Sequence, residues 1–381
     1  MNILISGAGI AGLTLAYWLK EQGYAPTIIE KYPSLRKGGY KVDVRGTALE
    51  VAKRMGIYQS LIDSNVNLKE SKFVTPDLKI LEFKGDLLGY CSGDDIEINR
   101  WDLCQIIAKS AGELEIIYDD SITQCNEDGL VYFEKAKARR FDLVIGADGL
   151  HSQVRKLVFG NDASFLREYG IQFCVFPIPN IFKLDRSEIV YFEKGKLVAA
   201  YAVDNHSLAC LAFKSEKTRL PRENLREIFE EQFKNSGWEI PRLIQFMKES
   251  DDSYFDSIAQ TRMPTWSKGR VVLVGDAAYA ASGIGTSFAM IGAYLLAQEI
   301  GRAKGDYAAA FAKYEKSIRK NIEKGQDMSE SHLQILAKGD SSKLIKYQLF
   351  FMKLLPKRCL QLLTNWGRRK MRKSANSIRL K

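Results

Sequence analysis

Gly7, Gly9 and Gly12 in MNILISGAGIAG stand at the G-x-G-x-x-G spacing of a dinucleotide site. In such a site the first glycine makes a tight turn, the second lets the backbone approach a pyrophosphate, and the third lets helix and strand pack closely. The helix that follows turns its free N–H groups and the positive end of its dipole toward the phosphates. Glu30 lies about twenty residues further on, where a carboxylate grips a ribose hydroxyl. Lys31, beside it, joins the cofactor-binding candidates. Two later carboxylates, Asp148 in GADGLHSQVR and Asp276 in VGDAA, each follow a glycine at the end of an apolar run. Nothing else spells a reaction. GTS at 285–287 is not a nucleophile elbow, the 3 histidines are widely separated, and the 6 cysteines show no CxxC spacing. The glycine motif with its strand, helix and acid points to a nucleotide cofactor; the bland alternative is a structural glycine turn.

The elements around these residues are readable in outline. Ile3, Leu4 and Ile5 form a buried strand before the glycines, and Leu13, Leu15, Ala16 and Leu19 carry a helix after them. PTIIE is a second strand. KYPSLRKGGYKVDVRG, residues 31–46, is a loop with a short strand around Asp43, made cationic by Arg36, Lys37, Lys41 and Arg45. Those cations either neutralise cofactor phosphates or face solvent. Residues 47–64 have helical periodicity, 71–98 turn to short β runs (KFVTP, KILEF, DDIEINR), and Trp101–Ala111 is a helix capped by Asn99 or Asp102. FDLVIG is a strand entering a turn at Asp148, which either binds cofactor or only closes that turn. From Ile171 to Phe213, aromatic and β-branched runs of six to eight residues predict an antiparallel sheet, one wall of a pocket. Helices return over 221–248. Val271–Val274 is a strand ending at Gly275-Asp276, followed by a small-residue loop and a long apolar helix.

Composition sets the outer limits. A chain of 381 residues suits two interwoven domains and an extension, and 46% hydrophobic residues supply ample core. No run of about 18 apolar residues predicts a membrane span, and no basic segment precedes an apolar run as in a signal peptide. Scattered thiols point to a reducing cytoplasm. The net charge of +10 is local: residues 343–381 hold 12 Lys or Arg and no acid, so the remainder is near −2. Nucleic-acid binding by the whole protein is not expected.

GAGIAG with Glu30, GADGLHSQVR, and GDAA before a glycine loop and helix together resemble the FAD-dependent aromatic hydroxylases of the p-hydroxybenzoate hydroxylase type. The resemblance covers about residues 1–310. LRKGGYKVDVRG, INRWDL and TRMPTWSKGRVVLVGDAAY are most similar to the tetracycline destructases, the tetracycline-inactivating flavin monooxygenases. The resemblance implies an α/β fold in which a Rossmann-type FAD-binding domain (1–70, 99–165 and 262–305) is interwoven with an antiparallel-sheet substrate domain (71–98 and 166–261), with C-terminal helices over 306–381. It implies that Gly7, Gly9 and Gly12 take the ADP pyrophosphate and Glu30 the adenosine ribose. Asp43, Arg45 and Arg100 would line the flavin or its phosphates, and Asp276 the ribityl chain. Gly285 and Thr286 would offer N–H groups to the isoalloxazine ring, and Asp148 would hold the second fingerprint. It further implies transient reduction by NADPH or NADH, a flavin C4a-hydroperoxide, and a polycyclic aromatic or enol substrate that attacks it.

One departure stands out. The family loop after Gly-Asp runs roughly P-x-x-G-x-G, whereas here AAYAAS leads directly to Gly283-Ile284-Gly285, about three residues shorter and without proline. Proline fixes φ, so its loss predicts a looser cradle. A working oxygenase and a non-oxygenating flavin- or ligand-binding relative both stay open. Residues 306–336 read as one helix with a flaw at Gly325. After it, the basic apolar segment from Lys343 packs on the body, touches an anionic membrane, or binds nucleic acid through GRRKMRK.

Overall fold

The computed structural model describes residues 1–75, 77–84, 94–126, 128–203, 206–216, 220–337, 378 and 380, by backbone alone at 222 and over 331–337. Strands Ile3–Ser6, Thr27–Glu30 and Leu143–Gly146 are buried at every position, as parallel strands covered on both faces must be. They belong to a six-stranded sheet ordered Ser267–Lys268, Val271–Leu273, Leu143–Gly146, Ile3–Ser6, Thr27–Glu30, Glu115–Tyr118. All neighbours are parallel except at the Ser267–Lys268 edge. From Ile3–Ser6 the chain builds outward on one side and later returns to build on the other. The strand order therefore reverses beside Ile3–Ser6, and the crevice at the carboxyl ends opens there. Ser6 stands opposite Gly146, and Gly146 opposite Leu273, so all three glycine motifs leave the sheet at one edge.

The helix Ile10–Glu21 packs on the helix Gly285–Ala303, and both are buried over most of their length. Apolar residues all round the two helices suit that placement. Thr47–Arg54 and Tyr58–Asp63 are two helices where one periodic stretch was legible, parted at Gly56 with φ 71°.

The second sheet has seven strands, ordered Tyr254–Thr261, Leu166–Ile178, His206–Lys214, Lys196–Val203, Ser187–Glu193, Glu70–Val74, Ile80–Lys84. It is antiparallel except that Ser187–Glu193 runs parallel to Glu70–Val74. Helices Leu225–Phe233 and Ile240–Glu249 cover it, inserting Phe229, Phe233, Leu243 and Met247 among Cys174, Phe176 and Phe213. Ile96–Asn99 does not join this sheet; it pairs with Lys41–Val44 in a two-stranded ribbon.

Tyr307–Ala337 is one continuous helix. The basic segment from Lys343 lies outside the described residues, save Ile378 and Leu380. Ile378 is buried in the core of the six-stranded sheet domain, and its carbonyl accepts a hydrogen bond from Thr47 Oγ1 at 2.8 Å. Among the described residues no helix is long and apolar enough to cross a membrane.

Candidate active site

The crevice is assembled from loop ends. Gly7 donates its N–H to Ile29 O at 2.7 Å, and a Cβ on it would lie 2.7 Å from Ala147 O, so the first and second fingerprints touch. Gly9 caps the helix Ile10–Glu21 without a side chain, and a Cβ there would come within 3.8 Å of the Arg100 guanidinium. A helix N-terminus facing a guanidinium across side-chain-free space is a fitting place for a pyrophosphate. Glu30, 8% exposed, accepts hydrogen bonds from Ala8 N–H at 2.7 Å and Tyr32 N–H at 3.1 Å. A carboxylate has about four acceptor positions, so capacity is left for ribose hydroxyls.

On the other side, the turn at Gly275 approaches the first helix so closely that a Cβ would meet Ala11 Cβ at 2.9 Å. Asp276 follows it, and Gly285, the first residue of its helix, lies so near that a Cβ on it would be 3.1 Å from Asp276 Oδ1. The first N–H groups of that helix have no intrahelical acceptor. Ser287 ties the ribbon to the same helix end: its hydroxyl donates to Asp43 O at 3.0 Å and accepts from Arg45 N–H at 3.1 Å. Arg45, 1% exposed, pairs with the Asp43 carboxylate. Asp43, Arg45, Asp276, Gly285 and Thr286 are thus brought together, and Arg100 with Gly9 closes the opposite wall.

Asp276 keeps an open face to the crevice but is enclosed by protein elsewhere. That enclosure, with Asp256 adding to it and Arg100 opposing it, pushes its carboxyl up to about 6. An unfolded aspartate ionises near 3.8, so between that pH and about 6 the folded chain keeps a proton that the unfolded chain has lost. The stability contributed by this group is full below the window and falls as pH rises through it. Asp276→Asn is expected to remove that decline from the cofactor-free protein and to raise its melting temperature at pH 7 while weakening FAD binding. Melting curves from pH 4 to 8 check this; an unchanged slope would refute it.

Lys31 and Asp148 complete the expected set. Lys31 is exposed, its Nζ 5.2 Å from the Tyr32 ring centre. Asp148 caps its own helix, accepting from Ser152 Oγ at 2.5 Å, Gln153 N–H at 2.8 Å and Val154 N–H at 3.1 Å. Of the loop cations, Lys41 reaches Glu97 at 2.9 Å and Glu188 at 3.5 Å, while Arg36 stacks over Tyr254 at 4.3 Å.

Sequence reasoning missed the crevice mouth. Tyr40, Phe173 and Tyr254 form an aromatic trio with ring centres 5.7 to 5.9 Å apart. Behind it, Asp256 accepts from Tyr254 OH at 2.6 Å and meets His151 Nε2 at 2.9 Å. Tyr40 is 36% exposed; the protein crowded around its ring, then the Asp276 and Asp256 carboxylates, push its phenol upward. The only textual signals were Tyr40 beside the Gly38-Gly39 pair and His151 inside the second fingerprint.

A doubly wound sheet with this donor set at its switch point defines a FAD-binding oxidoreductase. The FAD binding domain family matches residues 1–310, and the chain belongs to it. Within that family it is a FAD-dependent monooxygenase, similar over 337 residues at 40% identity to a flavin-dependent monooxygenase of an unknown prokaryotic organism (85% of this chain, 87% of the relative). A flavin-dependent monooxygenase of Legionella longbeachae is 35% identical over 361 residues, covering 91% and 92%. Among solved structures, the tetracycline destructase Tet(51) superposes with a TM-score of 0.86 at 32% identity over 100% of this chain and 99% of its own. Tet(55) gives 0.82 at 35% identity over 100% and 98%.

Proposed function

We propose that this monooxygenase takes electrons from NADPH or NADH and hydroxylates a flat, electron-rich polycyclic phenol or enol of the tetracycline type. The observation that carries the reading is the end-to-end likeness to Tet(51), which extends past the cofactor domain to the sheet and the long helix. When bound, FAD supplies the two-electron reduction and oxygen activation that no side chain here can supply. The chain's own residues bind and shield it. Gly7, Gly9, Gly12 and Arg100 would take the pyrophosphate, Glu30 a ribose, and Asp276 the polyol chain. The N–H groups of Gly285 and Thr286 would stabilise negative charge developing on the ring. The faces of Tyr40, Phe173 and Tyr254 would exclude water and offer an apolar wall to a planar molecule.

The test is to load the full chain with FAD and follow NADPH and NADH oxidation with and without a tetracycline. Stimulated oxidation with a product one oxygen atom heavier is expected. Tight FAD binding with no stimulation by any planar phenol or enol would favour the non-oxygenating reading instead.

A further inference from the structure

The loop 277–285 is short and lacks proline, and the long helix carries a glycine at 325, a poor helix former. The two oddities meet. A Cβ on Gly325 would lie 2.7 Å from Phe288 Cε2 and 3.5 Å from Ile284 Cγ2, so the missing side chain lets the long helix settle against the start of helix Gly285–Ala303. One residue on, Gln326 is 3% exposed. Its Nε2 donates to Ala280 O at 2.9 Å and to Thr261 O at 2.8 Å, while its backbone carbonyl accepts from Gln260 Nε2 at 2.9 Å. One turn further, Ser329 Oγ donates to Ser282 O at 2.6 Å. Thr261 in turn donates its hydroxyl to Asp276 O at 2.8 Å. Deeper in the loop, the Tyr279 hydroxyl shares a 2.9 Å hydrogen bond with Tyr314 of the long helix.

From these contacts we infer that Gln326 and Ser329 are positioning residues for the flavin cradle, clamping the 277–285 loop in place of the missing proline. The loop's backbone carbonyls at 280 and 282 are its liabilities, since an acceptor shut away from water without a donor destabilises the segment that carries it. A primary amide has two N–H groups on one nitrogen, and Gln326 spends them on two different segments, the loop and the end of strand Tyr254–Thr261. Ser329, on the same helix face, holds the loop two residues later. Ala280, Ala281 and Ile284 are all buried, so the loop is shorter than the family pattern and nevertheless tightly held. On this reading the loop is fixed by side chains outside it rather than by a φ-locked residue within it. The clamp rests on the preceding assignment of this loop to the flavin.

The test uses the full chain carrying Gln326→Met, Ser329→Ala, both together, and Ser329→Thr, which keeps the hydroxyl. Amide hydrogen exchange over 277–285, without FAD, is expected to quicken about tenfold in each single variant and further in the double, with Ser329→Thr near the parent. FAD dissociation constants are expected to rise about tenfold with a shifted visible flavin band, while exchange at 7–12 stays unchanged. Unaltered loop exchange in the double variant would overturn the clamp. Faster exchange with unchanged FAD affinity and spectrum would overturn its positioning role, since mere destabilisation lowers the melting temperature and leaves both alone. If the parent chain itself binds no FAD, the functional reading fails, and the exchange data still judge the clamp.

Discussion

Gly12→Ala is expected to yield a colourless protein destabilised by about 3 kcal/mol or more. The new methyl would lie 1.9 Å from Gly7 O and 3.3 Å from Ile5 Cγ2, inside the turn it must pack against. Gly7 cannot retreat. It holds φ 104°, and its far side is already in contact with the Ala147–Asp148 backbone, with a Cβ position only 2.9 Å from Asp148 Cα. The helix Ile10–Glu21 would have to lift from the sheet, taking with it the N–H groups at its start, the proposed pyrophosphate seat. Gly23→Ala is the control. Its φ of 82° makes alanine strained, but nothing lies within 4 Å of the added carbon, so a loss of roughly 1 kcal/mol with flavin retained is expected. Urea denaturation and the flavin absorbance of both variants measure the contrast. A yellow Gly12→Ala protein of parental affinity would contradict this account of the fingerprint.

Arg155→Met should cost about 3–5 kcal/mol, because it removes the buried partner of Asp162 and leaves that buried carboxylate only the more exposed Lys156, 3.2 Å away. Arg155 is fully buried and donates to Ala277 O at 2.9 Å, Leu150 O at 2.6 Å and Asp162 Oδ1 at 2.6 Å. Burial alone would push Asp162 up; Arg155, helped by Lys156, outweighs that and holds it below the usual carboxylate range. A carboxyl lowered in the folded state adds stability that is present above its unfolded value and lost as pH falls through the folded one. The parent should therefore weaken in acid through this pair, and Arg155→Met should flatten that part of the profile. Adding Asp162→Leu to Arg155→Met should restore part of the loss, since no buried charge then remains at the site and Lys156 can turn to solvent. Denaturation series at pH 3 to 7 decide it; a single-variant cost below about 1 kcal/mol would mean the pair contributes little. If the loop that Ala277 begins holds the flavin as proposed, weaker FAD binding should accompany the loss.

How much of this was legible follows from how local each feature is. The three nucleotide strands could be read because burial on both faces requires unbroken apolar runs, and Gly7, Gly9 and Gly12 because the turn and the close packing leave no room for side chains. Asp148 was ambiguous for a physical reason: capping a helix and binding a cofactor need the same residue at the same strand end, and here its carboxylate caps Gln153 and Val154. His151 with Asp256 was illegible, being 105 positions apart and joined only by sheet packing. The parallel pairing of Ser187–Glu193 with Glu70–Val74 leaves no periodic trace either, since strand direction is set by connections, not by side-chain pattern. Gly325 was legible as an irregularity, but its meaning depended on Phe288, which the text does not place beside it.

The interleaved strand order has a consequence for biosynthesis. Ile3–Ser6 is the first strand made, yet its neighbour Leu143–Gly146 and the next strand, Val271–Leu273, come far later, and the helix end at Gly285 later still. At about 5–20 residues per second, the glycine turn waits on the order of tens of seconds on the ribosome before its partners emerge. Ile3–Ser6 gains Thr27–Glu30 early, but its other edge, and the face of helix Ile10–Glu21 that packs on Gly285–Ala303, stay uncovered for that whole interval. FAD cannot be captured before it ends, so nascent chains are a natural load on holding chaperones, and riboflavin starvation should lower the yield of finished protein rather than its rate of translation.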